Sequence, residues 1–168
     1  MAVAIKKLGF QNIKIYNGGI KGWKAEGNSL ESIEKLPEYE GEYISTQEFN
    51  EKLKKAEETG CLDKSRKPLI TILDFRDNEK LVGNLGSDFF NIKTKCPSIK
   101  FNLDDLVHDK ELIKKIPKEG EVISICETGN RDPFLMRYLF KFGYTNIKSL
   151  KFGMRDWLKS DYPIERIK

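Results

Sequence analysis

Ile123-Ser124-Ile125-Cys126-Glu127-Thr128-Gly129-Asn130-Arg131-Asp132-Pro133 carries an apolar strand straight into a cysteine and then into the start of a helix. Val122, Ile123 and Ile125 form a short β-branched run, the pattern of a strand buried in a parallel sheet. In open α/β sheets the chemistry collects outside the carboxyl ends of such strands. Asp132 suits a helix cap and Pro133 the first helical position, while Phe134, Leu135, Tyr138, Leu139 and Phe142 repeat at helical spacing. The loop from Cys126 to Arg131 is therefore short and pinned at both ends. Its backbone N–H groups can converge in front of the sulfur, and the helix start adds partial positive charge. Both favour thiolate over thiol and would hold an anion. Arg131 adds a permanent cation with a planar fork of donors. The competing reading of Cys126 is a buried, inert cysteine at a strand end, where a thiol behaves as a small apolar group.

Working outward, alternating helices and β-branched strands predict a mostly parallel central sheet covered by helices on both faces, an α/β fold. Ile44-Ser45-Thr46-Gln47-Glu48-Phe49 predicts a helix start, with Ser45 and Glu48 as a capping box and Ile44 with Phe49 as a hydrophobic staple. Phe49, Leu53 and Ala56 give this helix an apolar face, and Gly60 ends it. Leu69 to Leu73 reads as a buried strand ending in Asp74-Phe75-Arg76, a carboxylate and a guanidinium suited to bracing neighbouring loops. Gly83 to Phe90 reads as a surface loop with Phe89 and Phe90 packed inward. Leu106, Leu112, Ile113 and Ile116 serve a core face, Pro117 stops that helix, and Gly120 turns the chain into the strand before Cys126.

At 168 residues and 39% hydrophobic composition, the chain supports one well-buried domain with some chain to spare. Its 30 basic and 26 acidic residues are scattered, which reads as a solvated surface and predicts neither nucleic-acid nor membrane partners. No stretch approaches the roughly 20 apolar residues of a membrane span, and the N-terminus lacks a signal-peptide core. The chain as given reads as soluble and cytoplasmic, with the compartment open should it belong to a longer secreted parent. Cys61, Cys96 and Cys126 are too few and scattered for a disulfide framework, and the lone His108 leaves no metal-site spacing. Cys61 and Cys96 are expected in loop or small-apolar roles, Cys126 as a free thiol, and His108 as a solvated residue.

At Cys126 the sequence resembles the rhodanese family of sulfurtransferases. Cys-Glu-Thr-Gly-Asn-Arg is similar to that family's six-residue active loop, a cysteine with a glycine three places on and an arginine five places on. Asp74-Phe75-Arg76 resembles the family's Asp-x-Arg signature, implying that Asp74 and Arg76 brace the active loop from behind. The resemblance implies that Cys126 carries a transferable sulfur as a persulfide, with the amides of Glu127, Thr128, Gly129, Asn130 and Arg131 cradling the anion. It implies no metal or organic cofactor. The expected partners are a small sulfur-containing anion, such as thiosulfate or a polysulfide, and a thiol or cyanide acceptor. The chain departs from the family at Thr94-Lys95-Cys96-Pro97-Ser98-Ile99-Lys100-Phe101-Asn102, where a Gly-His-Ile-Pro-Gly-Ala-like stretch is expected. Glu127 also opposes an anion: at about 6 Å it repels by roughly 0.7 kcal/mol in water and about 2.8 kcal/mol at an effective dielectric near 20. The activity therefore requires Glu127 to point outward or to pair with a cation, Arg131 being the candidate.

An internal repeat fixes the domain plan. Leu8-Gly9-Phe10-Gln11-Asn12-Ile13-Lys14 corresponds to Phe142-Gly143-Tyr144-Thr145-Asn146-Ile147-Lys148, and Gly18-Gly19-Ile20-Lys21-Gly22-Trp23 to Phe152-Gly153-Met154-Arg155-Asp156-Trp157, at a constant offset of 134 residues. Residues 1–35 thus resemble the closing element of a first rhodanese-like repeat, with a helix from Ala2 to Leu8 and a strand from Ile13 to Tyr16. A linker of residues 36–43 then leads to a complete repeat at 44–168. Three functions stay open: sulfurtransferase, a catalytically idle binding or sensing module, and a phosphatase or arsenate reductase. The last is disfavoured because phosphatases place five residues between cysteine and arginine, whereas four separate Cys126 from Arg131.

Overall fold

A computed structural model describes residues 6–31, 35–76 and 90–166. The chain divides into two compact units, Met1–Lys35 and Leu36–Lys168. In the larger unit a five-stranded, all-parallel sheet is built from β1 (Glu42–Ile44), β2 (Ile70–Asp74), β4 (Ser98–Lys100), β5 (Glu121–Ile125) and β6 (Ile147–Leu150), in the order β1-β6-β5-β2-β4. A separate antiparallel pair joins β3 (Phe90–Ile92) to β7 (Ile164–Arg166). The strand that leads to Cys126 is central, flanked by β2 and β6, and every residue from Val122 to Cys126 is buried.

Side-chain alternation along the strands divides the core into two layers. Ile70, Ile72, Ile123 and Ile125 face a layer built from Phe49, Leu53 and Ala56 of helix α2 (Thr46–Glu57) and from Met154 and Trp157 of helix α5 (Gly153–Lys159). Leu73, Val122 and Cys126 face the opposite layer, built from Leu106 of helix α3 (Leu103–His108), Ile113 of a short 3₁₀ turn, and Leu135, Met136, Tyr138 and Leu139 of helix α4 (Asp132–Phe140). Helix α2 starts as its sequence predicts. Ser45 accepts from the Glu48 amide at 3.1 Å, and Ile44 and Phe49 are both buried in one cluster.

Residues 36–43, read as a linker, lie within the larger unit. Leu36 and Tyr39 pack on the α4 layer, Tyr39 stacks on Phe140 at 4.2 Å, and Arg137 donates to the carbonyls of Pro37 and Leu36. Glu42–Ile44 supplies the edge strand beside β6. Phe90 packs against the α2 layer, while Gly83 to Phe89 lie outside the described residues.

Cys61 and Cys96 depart from expectation: they form a disulfide, with Cα atoms 5.1 Å apart. Cys61, at the end of α2, is fully buried, and Cys96 precedes β4, so the bond ties the helix to the sheet edge. Cys96 is therefore not available as a partner for Cys126.

The smaller unit contains helix α1 (Gly19–Ala25), none of whose residues is buried. Ile13 to Tyr16 form no strand, since a strand needs a neighbour to accept its backbone hydrogen bonds and none is present among the described residues of this unit. The expected helix from Ala2 lies outside the described residues up to position 5. The local geometry nonetheless recurs at the 134-residue offset. Helices α1 and α5 have matching bounds, and Trp23 donates to Ser29 O as Trp157 donates to Pro163 O. Gly9 and Gly143 are both left-handed, at φ 92° and 81°.

Candidate active site

The site is assembled where β5 ends. Ser124 and Cys126, two residues apart, project to the same side of the sheet, toward the start of α4. The loop after Cys126 is locked from the other side by α5: the Met154 amide donates to Cys126 O at 2.9 Å and the Arg155 amide to Glu127 O at 3.0 Å. With those carbonyls taken up by α5, the amides that follow turn toward the sulfur, and Gly129 N donates to Cys126 Sγ at 2.9 Å. This packing requires glycine at two places. A Cβ on Gly153, at φ +62°, would lie 2.3 Å from Cys126 O, and one on Gly129, at φ +81°, would lie 3.0 Å from Phe152 N.

Arg131 pairs with Glu127, and its guanidinium lies 5.4 Å from the centre of the Phe75 ring. The carboxylate that threatened anion binding is thus neutralised within the loop. Thr128 is half-buried and Asn130 exposed. Asp74 and Arg76 form a buried bidentate pair, with Arg76 Nε to Asp74 Oδ1 at 2.9 Å and Nη2 to Oδ2 at 2.7 Å. Arg76 also donates to Phe90 O and Asn91 Oδ1, so the pair braces β3 against β2. In register, Asp74 sits beside Ile125, one residue before the cysteine. These two residues, Met154 and Asn91 line a cavity of about 270 Å³ on the α5 side of the sheet.

The residue that sequence reasoning misplaced is Asp132. It stands inside the helix rather than before it, makes no cap, and is fully buried. Its carboxylate receives hydrogen bonds from Ser124 Oγ at 2.6 Å on Oδ1 and from Cys126 Sγ at 2.9 Å on Oδ2. This overturns the expected thiolate preference. Burial pushes the Cys126 thiol up to about 11, the charge and hydrogen bond of Asp132 add to the rise, and the amides of Arg131 and Thr128 oppose it. Burial likewise raises the Asp132 carboxyl above the usual range, against the hydrogen bonds from Cys126 and Ser124. One signal was legible: Ser124 interrupts an apolar strand on the cysteine's own face, and a buried hydroxyl needs a partner.

His108 is exposed, its ring Nδ1 2.7 Å from Asp104 O on its own helix. Among the described residues no cluster of His, Cys, Asp and Glu could hold a metal ion, and no helix is long and apolar enough to cross a membrane.

Comparison with known proteins agrees with this architecture. A crystal structure of a rhodanese-related protein from Thermoplasma volcanium is similar with a TM-score of 0.52 and 20% identity, over 74% of this chain and 97% of its own. The solution structure of a rhodanese-like domain from an Anabaena protein gives 0.52 and 18%, over 76% and 81%. A Rhodopseudomonas palustris protein of unknown function, described as a possible tyrosine phosphatase, gives 0.54 and 15%, over 93% and 100%. At such identities the likeness is one of fold. No curated protein sequence matches significantly. The rhodanese-like domain model matches residues 49–160, a span that holds the central strand, the cysteine loop and the helix that locks it, and on that match this chain belongs to the rhodanese-like domain family.

Proposed function

We propose that the chain is a sulfurtransferase in which Cys126 takes a sulfane sulfur from a persulfide, polysulfide or thiosulfate-type donor and passes it to a thiol or cyanide acceptor. One observation carries this reading: Sγ of Cys126 lies at the focus of a loop whose first carbonyls are bound by α5 and whose Gly129 amide points at the sulfur. A terminal persulfide sulfur formed there is an anion at the amino end of α4, where backbone N–H groups stabilise negative charge without reorganising. The Glu127–Arg131 pair holds the donor-facing rim near neutrality. The reaction is nucleophilic covalent catalysis in two half-reactions.

Initial rates measured while varying donor against cyanide test the proposal. Parallel-line, ping-pong kinetics that disappear in Cys126→Ala are expected. The burial of Cys126, only 1% exposed, favours one second reading, an idle binding or sensing module. It prevails if the folded protein turns over none of these donors. The Cys61–Cys96 disulfide supports folding in an oxidising compartment rather than the cytoplasmic placement expected from sequence.

A further inference from the structure

Cys126 and Asp132 form a pair that the rhodanese-like loop does not by itself require. Asp132 is fully buried, and its two oxygens are engaged by the two polar side chains on that face of β5. The groups bordering it are Ser124 and Cys126 of the cysteine strand, Ser149 of β6, its chain neighbour Arg131, which is ion-paired with Glu127, and Tyr43 of β1, whose hydroxyl is pushed up by burial and then by the charge of Asp132. Sγ lies between a donor, Gly129 N at 2.9 Å, and an acceptor, Asp132 Oδ2 at 2.9 Å. A thiolate at that distance from a carboxylate in a buried site would place two like charges together, so the pair keeps one proton and one negative charge.

We propose that Asp132 is the proton acceptor of Cys126, and that the charge this pair retains selects monoanionic sulfane-sulfur donors, persulfides and thiosulfonates, over the thiosulfate dianion. The proposal rests on the sulfurtransferase reading and narrows its donor. For a donor X–S⁻, the Sγ proton moves to Asp132 Oδ2 and a lone pair of Sγ forms the new S–S bond. The X–S bond breaks, and its electron pair leaves on X⁻. Carboxylate, thiol and X–S⁻ become carboxylic acid, Cys126 persulfide anion and X⁻, with atoms and charge conserved. Throughout, the donor faces one negative charge. At about 6 Å, each additional unit of donor charge is disfavoured roughly 3-fold at the dielectric of water and about 100-fold at an effective dielectric near 20.

Persulfide loading of Cys126, followed by quenched intact mass with methanethiosulfonate (monoanion) and thiosulfate (dianion), tests this across neutral pH. Wild type is expected to load from methanethiosulfonate faster, at a rate nearly independent of pH, because proton transfer stays inside the pair. In Asp132→Asn the thiol must lose its proton to solvent, so the rate rises tenfold per pH unit, and the preference for methanethiosulfonate falls roughly 3- to 100-fold. A wild-type rate that itself rises tenfold per unit, or a preference unchanged in Asp132→Asn, overturns the proposal while leaving the sulfurtransferase reading intact. If neither donor loads wild type, the donor-selection half of the proposal fails, and if persulfide and polysulfide also load nothing, the sulfurtransferase reading fails with it. Alkylation by iodoacetamide then still reads the proton acceptor through the same flat or rising profile. Should Asp132→Asn not fold, Ser124→Ala removes the donor on Oδ1 and moves the acid limb of the alkylation profile upward. An unmoved limb counts against Asp132.

Discussion

Gly153→Ala tests the locking of the cysteine loop. The new methyl would lie 2.3 Å from Cys126 O and 2.8 Å from both Glu127 C and Thr128 N, all backbone atoms with no flexible end to swing aside. An L residue at φ +62° adds about 1–2 kcal/mol of left-handed strain. Relief of the overlap by backbone movement costs about 1–3 kcal/mol more. The sum, about 2–5 kcal/mol, corresponds to a drop in Tm of roughly 5–20 °C for a domain of this size. Relief also moves the loop away from α5, breaking the bonds of the Met154 and Arg155 amides to Cys126 O and Glu127 O, so sulfur loading should fall more than stability does. Gly19→Ala, at the equivalent place in α1, is the control: its φ is +53° but a Cβ there meets nothing within 4 Å. Thermal melts and sulfur-loading rates read both variants. A Gly153→Ala protein that melts within about 1 °C of wild type and loads sulfur normally would refute the claim that α5 and the loop are in backbone contact.

Arg76→Met strands the buried Asp74 carboxylate and should lower stability by about 3–5 kcal/mol in urea unfolding. Thiol titration of the denatured, unreduced protein should find Cys126 alone, and reduction of Cys61–Cys96, which closes a separation of 35 residues, should lower stability by about 3–4 kcal/mol. The raised Asp132 carboxyl gives a pH dependence of known sign. Its folded form holds the proton to higher pH than the unfolded form, so its contribution to stability is full below about pH 3.9 and is lost as pH rises through the folded value. Asp132→Asn should therefore raise Tm relative to wild type near neutrality and make little difference in acid, read by melts across that range.

The parts of the fold set by local chemistry could be read directly. The β-branched runs became β2 and β5, the Ser45 cap and the Ile44–Phe49 staple start α2, and the Cys126 loop lies at the end of a central strand. The parts that depend on which elements meet could not. Cys61 and Cys96 pair because β4 lies next to β2 at the sheet edge, beside the end of α2, an arrangement that spacing does not encode. An aspartate before a proline looks like a cap. Its carboxylate turns inward because alternation along β5 aims a hydroxyl and a thiol at it. Ile13 to Tyr16 match a strand in sequence, yet among the described residues of the smaller unit no neighbouring strand pairs with the segment. Tyr39 and Leu36 sit among acidic and proline residues that mask their packing on α4.

The most direct test is the intact mass of the folded protein, with the Cys126 thiol free and the Cys61–Cys96 disulfide intact, after incubation with a sulfane-sulfur donor. Sulfur transfer through Cys126 predicts a gain of one sulfur atom, removed by cyanide and absent in Cys126→Ala. A wild-type protein that gains no sulfur from thiosulfate, thiosulfonate, persulfide or polysulfide would contradict it.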